Sequence, residues 1–211
     1  QWQGVTEGNL EKILNLLEAM TPVAVMIDEA DAALGNRNAQ GDSGVSQRVF
    51  SQIVSFMSNP KHRGRVLFFL MTARPDLMPV DLKRQGRAEE HLALFYPHTR
   101  KDREELLQIM MQRTGVSLSI DEVPDVLLTG DRTFSGADME AVMTRASFRA
   151  AAEGTDVTPE VLETTVQDFI PPTYPQEIEL QTLSAVLECT SKALLPEPYR
   201  SMERGEVVQR V

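Results

Sequence analysis

The residues best suited to chemistry are two adjacent carboxylates, Asp28 and Glu29, at the end of the apolar run Val23-Ala24-Val25-Met26-Ile27. A continuous apolar run of that length reads as a central strand covered on both faces. Charge that comes only at its C-terminal end places both acids at the edge of an open α/β sheet, where such folds bind ligands. The pair suits phosphoryl transfer: one acid can hold Mg²⁺, usually through water, while the other polarises a water for in-line displacement. A solvated acidic strand end is the plainer alternative, and these residues alone leave it open.

The elements that must position them follow from periodicity. A helix is signalled from Thr6, a capping side chain, through Leu10, Ile13, Leu14 and Leu17, and Thr21-Pro22 ends it before the first strand. Gly35 to Ser46 collects Gly, Asn, Gln, Asp and Ser without period and reads as a loop. Val49, Phe50, Ile53, Val54 and Met57 then give a helix its buried stripe, Asn59-Pro60 stops it, and Val66 to Met71 reads as a second buried strand. A third, shorter strand is expected at Leu92 to Phe95.

After Pro97 the pattern turns wholly helical, which sets a domain boundary near Thr99. Thr99 with Asp102 and Ser135 with Asp138 resemble capping boxes ahead of apolar helices, Thr158-Pro159 opens another, and Asp121 to Leu128 is a short helical candidate. Ile170-Pro171-Pro172-Thr173-Tyr174-Pro175 is a rigid extended spacer leading to a helix over Glu177 to Leu194, and the charged tail is expected to fray. The fold class is therefore α/β, with a parallel sheet over 1–98. A small all-helical subdomain over 99–170 and a proline spacer with a C-terminal helical extension over 171–211 follow it.

The chain has 211 residues, 42% of them hydrophobic and 25% charged, enough for one or two packed units. A formal net charge of -10 opposes general attraction to phosphate backbones, so no nucleic-acid partner is expected, although Lys83-Arg84 and Arg87 form a local basic cluster. No apolar stretch approaches the ~20 residues of a membrane span. Gln1-Trp2-Gln3-Gly4 lacks a signal pattern, and Cys189 is the single cysteine, so a cytoplasmic protein is expected.

The order of several signals resembles the AAA family of hexameric ATPases over nearly residues 1 to 170, which implies that 1–98 is an incomplete P-loop nucleotide-binding α/β subdomain and 99–170 its helical lid. Val23 to Asp31 is similar to its Walker B strand. Gln1 to Leu10 looks like the segment carrying the first pore loop in the branch of katanin and spastin, which would make Trp2 the substrate-gripping aromatic. Arg74-Pro75-Asp76 and Asp81 to Arg87 are similar to the stretch with paired arginine fingers. Phe134-Ser135-Gly136-Ala137-Asp138 matches the start of the lid helix, where small Gly136 and Ala137 let backbone approach the adenine. The resemblance implies ATP and Mg²⁺ as cofactors, with Asp28 on the metal and Glu29 on the water. Arg84 and Arg87 would be catalytic in a neighbouring subunit's site, because a guanidinium can fork onto a γ-phosphate. It also implies a homo-oligomeric ring, expected to be a hexamer, acting on protein substrates.

Two departures qualify this. Ala73 stands where the family usually has an asparagine that orients the attacking water, so slow hydrolysis or compensation by Thr72 is expected. The chain also has no Gly-x-x-x-x-Gly-Lys-Ser/Thr, the loop that cradles phosphates. That loop is expected just upstream of Gln1, and the chain by itself is expected not to hydrolyse ATP. Two other readings stay open. One is a non-catalytic AAA-like assembly module, favoured by Ala73. The other is a DEAD-box RNA helicase, whose signature Asp28-Glu29-Ala30-Asp31 also spells, although that family needs a second, basic α/β domain downstream.

Overall fold

The computed structural model describes residues 3–35, 45–129, 133–171 and 174–210. Helix α1 (Gln3–Ala19) leads into strand β1 (Val23–Ile27), the single-turn helix α2 (Ala30–Leu34) and helix α3 (Val45–Ser58). Strand β2 (Val66–Leu70) follows and pairs with β1 in parallel, in the register Val23↔Val66 to Ile27↔Leu70. Parallel pairing requires a crossover, which α2 and α3 supply. The remaining helices are α4 (Arg100–Thr114), α5 (Asp125–Leu128), α6 (Gly136–Glu153), α7 (Pro159–Asp168), α8 (Pro175–Glu188) and α9 (Arg204–Arg210). This is the α/β class expected from the sequence, a small parallel sheet followed by helices.

The chain divides into two compact units, Gln1–Ala93 together with Gln176–Val211, and Leu94–Pro175. In the first, α3 carries Val54 onto one face of the sheet, where Ile27 and Leu70 meet Ala30, Leu34, Met78 and Leu82. Phe56 stacks on the His62 ring at 3.9 Å and meets Phe68 of β2 edge-on at 6.1 Å. The other sheet face differs from expectation. Met26, Leu67 and Phe69 are exposed, because alternation along the strands sends them away from α3 and no described element of this chain packs there.

Four further expectations are corrected. Leu92 to Phe95 runs without strand pairing, and Leu94 is 94% exposed; an apolar run becomes a strand only where a neighbour offers its ladder groups. The first helix begins at Gln3, so Thr6 lies inside it and is not its cap. The last predicted helix stops at Glu188, and the tail expected to fray folds as α9, where Val207 is buried, Arg210 pairs with Glu179 of α8 at 2.7 Å, and Arg204 donates to the Leu187 carbonyl.

The second unit is all helical. Leu107, Leu127, Phe134, Met139, Met143 and Leu162 form its centre, and the Arg145 guanidinium lies 4.8 Å above the Phe169 ring. Both expected capping boxes are present. Ser135 N–H donates to Asp138 Oδ2 at 2.8 Å while Asp138 N–H donates to Ser135 Oγ at 3.1 Å. At α4, Thr99 N–H donates to Asp102 Oδ2 at 2.9 Å and Asp102 N–H donates to Thr99 Oγ1 at 3.1 Å.

The bonds from Thr99 hold the Asp102 carboxyl below its usual range. A lowered acid stabilises the fold above the pH at which it titrates when unfolded, and that stabilisation is lost as pH falls through the lowered value. Thr99→Ala should therefore cost about 1 kcal/mol at neutral pH, read as a shift in the denaturant midpoint, with the difference from the parent chain shrinking as the medium is made strongly acidic.

Candidate functional site at the end of the first strand

The site begins where β1 stops. Beyond Ile27 the pairing with β2 continues through the backbone: Met71 N–H donates to the Ile27 carbonyl and Ala30 N–H donates to the Met71 carbonyl, both at 2.9 Å. Between these anchors Glu29 adopts φ 49 and ψ 45, the one non-glycine residue with positive φ among the described residues. A side chain in that left-handed region costs on the order of 1–3 kcal/mol and persists only where its surroundings hold it.

That conformation decides what the two acids can do. Glu29 N–H turns back to Asp28 Oδ1 at 2.8 Å, which orients the Asp28 carboxylate. Glu29 sits at the cap of α2, yet its side chain makes no capping bond, so the exposed carboxylate is not spent on its own helix. Its carbonyl accepts from Ala32 and Ala33 N–H. At the far end of α2, a Cβ on Gly35 would fall 2.0 Å from the Asp31 carbonyl oxygen, so only glycine allows this closure.

Sequence reasoning gave no role to Asp31. Its Oδ1 accepts from Thr72 Oγ1 at 2.6 Å, and Thr72 Oγ1 in turn accepts from Arg74 N–H at 2.9 Å. Thr72 has a single hydroxyl hydrogen, and it is directed at Asp31. Thr72 therefore acts as a tie between the end of β2 and α2 and does not donate to a water in place of an asparagine. Ala73 is exposed and offers no side-chain donor. The forty-one residues separating Asp31 from Thr72 explain why no local pattern gave this link away.

The arginines have different surroundings. Arg74 is committed to Asp76, with Nε and Nη2 donating to its two carboxylate oxygens at 3.0 and 2.8 Å, and this fork holds the Asp76 carboxyl below its usual range. The Arg84 side chain is 68% exposed, with Asp81 Oδ1 3.4 Å away. Arg87, only 27% exposed, donates through Nε to Ser58 Oγ at 3.0 Å and through Nη1 to the Asp81 carbonyl. Gly86, at φ 87, supplies the left-handed turn between them. A cleft of about 640 Å³, lined in part by Phe50, Val54, Ser58, Asp81 and Arg87, opens beside Arg87, and neither Asp28 nor Glu29 lines it.

Asp28, Glu29, Arg84 and Arg87 thus share the first unit, whereas Gly136 and Ala137 belong to the second. Ala137 is exposed, and a Cβ at Gly136 would meet only the ordinary contacts of Leu106 and Met110 at 3.8 and 3.9 Å. No close approach within that unit demands the missing side chain. Trp2, and residues 36–44 of the expected loop, lie outside the described residues.

The donor set decides which cofactors fit. No group of three or more His, Cys, Asp or Glu side chains among the described residues could cage a metal. An exposed aspartate instead suits Mg²⁺, which keeps several waters and takes one or two carboxylates together with phosphate oxygens. The strand end supplies no phosphate cradle.

Thr72→Val should break the tie to Asp31 and cost about 1–2 kcal/mol in denaturant unfolding, while Thr72→Ser, which keeps the hydroxyl, should lose far less. Equal stability of the two variants would remove the tie from this account.

Comparison with known proteins adds to the geometry. The family model described as "ATPase family associated with various cellular activities (AAA)" matches residues 1–96. The chain is 27% identical over 184 residues to the uncharacterized AAA domain-containing protein ycf46 of Pyropia yezoensis, covering 86% of this chain and 36% of that protein. It is 30% identical over 153 residues to the cell division cycle protein 48 homolog of Archaeoglobus fulgidus, covering 72% of this chain and 20% of the relative. It is 29% identical over 154 residues to the peroxisomal ATPase PEX6 of Penicillium chrysogenum, covering 70% and 10%. The chain therefore spans between 10% and 36% of the lengths of these relatives. With its two acids at the end of a parallel strand and this match across the first 96 residues, the chain belongs to the AAA family of ATPases.

Proposed function

We propose that the chain supplies the water-activating and metal-holding half of an ATP-hydrolysing AAA module that assembles as a ring, expected to be a hexamer, and remodels protein substrates. The observation that carries this reading is the exposed Glu29 carboxylate, presented by a left-handed backbone beside the oriented Asp28 at the end of β1. Asp28 would hold Mg²⁺ together with waters and phosphate oxygens. Bound Mg²⁺ would supply charge neutralisation at those oxygens. Glu29 would accept a hydrogen bond from a water and keep that water aligned for attack.

The phosphate cradle would come from residues outside this chain. The exposed Met26, Leu67 and Phe69 support this, since a further α/β layer would cover that face. Arg84 is the better placed of the two arginines to reach a neighbouring subunit, being exposed and loosely held, and Arg87 would first have to leave Ser58 and Asp81. Gly136 and Ala137 would lie against the adenine, and Trp2 would grip the translocating polypeptide. Among the described residues no helix is long and apolar enough to cross a membrane. The single buried thiol of Cys189 accords with a cytoplasmic setting.

A second reading, an assembly module that does not hydrolyse ATP, is favoured by the exposed Ala73 methyl and by the internal bonds of Arg87. Catalysis is preferred because a scaffold has no need for a strained glutamate with an exposed carboxylate that does not cap its own helix. In the full-length protein, Glu29→Gln should lower steady-state turnover by roughly 10²–10⁴-fold with nucleotide affinity retained, and unchanged turnover would sink the role of Glu29. For the arginine, mixing Arg84→Ala subunits with Glu29→Gln subunits should recover part of the lost activity. No recovery at any mixing ratio would count against action across an interface.

A further inference from the structure

The segment that carries Arg84 and Arg87 has no regular secondary structure, so its position must be set by its anchors. Leu82, fully buried, fixes one point in the core. Lys83 N–H closes a turn onto the Val80 carbonyl at 3.1 Å. Arg84 is then held by little of its own, since its ion pair with Asp81 is exposed on both sides and exposed pairs contribute little.

What flanks Arg84 is tied to a distant part of the chain. The Lys83 side chain, only 17% exposed, places Nζ 2.6 Å from Glu188 Oε1 at the end of α8. Eight residues beyond Lys83, His91 N–H donates to Thr190 Oγ1 at 3.0 Å, and Thr190 N–H donates to the His91 carbonyl at 3.3 Å. The His91 ring bridges the same junction, with Nδ1 2.8 Å from the Glu188 carbonyl and Nε2 2.9 Å from the Ala88 carbonyl. The α8 end is itself seated by buried Leu183, Val186 and Cys189 and braced by α9. Side-chain and backbone bonds thus grip the arginine segment at both ends, from residues about a hundred positions later.

We infer that the C-terminal segment is a splint for the arginine strip: Glu188 and Thr190, through Lys83 and His91, are positioning residues that set where Arg84 is presented to a neighbouring subunit. The physical reason is entropic. A guanidinium acting across an interface must arrive in one place, and an irregular strip of about ten residues loses much conformational freedom to hold it there. Bonds that order the strip in the free subunit remove that loss from the moment of contact. The inference rests on the proposed role of Arg84, and the splint itself does not.

The test uses the full-length protein with Glu188→Gln, with Thr190→Val, and with the reversed pair Lys83→Glu/Glu188→Lys. Amide hydrogen exchange over residues 82–91 should rise roughly tenfold in Glu188→Gln, as expected for loss of one bond between charged groups, and in Thr190→Val. It should stay unchanged over 23–34 and return towards the parent rate in the reversed pair. Subunits carrying both Glu29→Gln and Glu188→Gln should stimulate turnover by Arg84→Ala subunits several-fold less than Glu29→Gln subunits do, with KM for nucleotide unchanged. Unaltered exchange over 82–91 in both single variants would overturn the splint. Raised exchange with full stimulation would overturn its positioning role. If Arg84→Ala leaves turnover untouched, the reading of Arg84 fails while exchange still judges the splint.

Discussion

The pair of hydrogen bonds that carries the β1–β2 ladder past its last strand residues is the constraint on which the first unit depends. Met71 reaches back to Ile27 and Ala30 reaches across to Met71, so the turn from Asp28 to Asp31 continues the sheet as a backbone element and is not a loop laid beside it. Glu29 can occupy the left-handed region because its neighbours on both sides are fixed. Ala30 and Leu34 are delivered into the core by the same turn, and the hydroxyl of Thr72 then reaches Asp31. Weakening the ladder end would release an acid, a helix and part of a core together.

Elements with a strong local signature were legible from sequence. The strands Val23–Ile27 and Val66–Leu70 are short apolar runs bounded by turn residues, and the capping boxes at Thr99 and Ser135 announce helices in four letters. What was not legible depends on partners remote in the chain. An apolar strand reads the same whether one face or both are covered, so the exposure of Met26, Leu67 and Phe69 could not be read from their letters. Leu92 to Phe95 has strand-like composition but no ladder partner. The α9 helix forms because Val207 finds a buried place and Arg210 finds Glu179, neither of which a charged tail advertises.

The candidate site shows the same division. Asp28 and Glu29 stood out because charge at the end of an apolar run is locally anomalous. Arg84 and Arg87 looked equivalent, three residues apart in one basic cluster, yet one is open to solvent and the other is bonded to Ser58 and the Asp81 backbone. Gly86 separates their fates by reversing the sign of φ between them. Thr72 was marked as a substitute for a missing amide, and its geometry assigns it elsewhere, because a hydroxyl has only one hydrogen to give.

The first unit is assembled from two stretches of chain, 1–93 and 176–211, with the second unit between them. This has a consequence for biosynthesis. The strand and helices that hold Glu29 leave the ribosome before the 94–175 unit, but Lys83 and His91 wait for partners at Glu188 and Thr190 that emerge only after that whole helical unit has been translated. At about 5–20 residues per second that interval lasts several seconds. During it the 94–175 unit, whose contacts are local and contiguous, can finish folding while the arginine strip still lacks its anchors. Order of completion therefore runs opposite to order of synthesis, and the strip that carries Arg84 is held only once the residues after the 94–175 unit have been made.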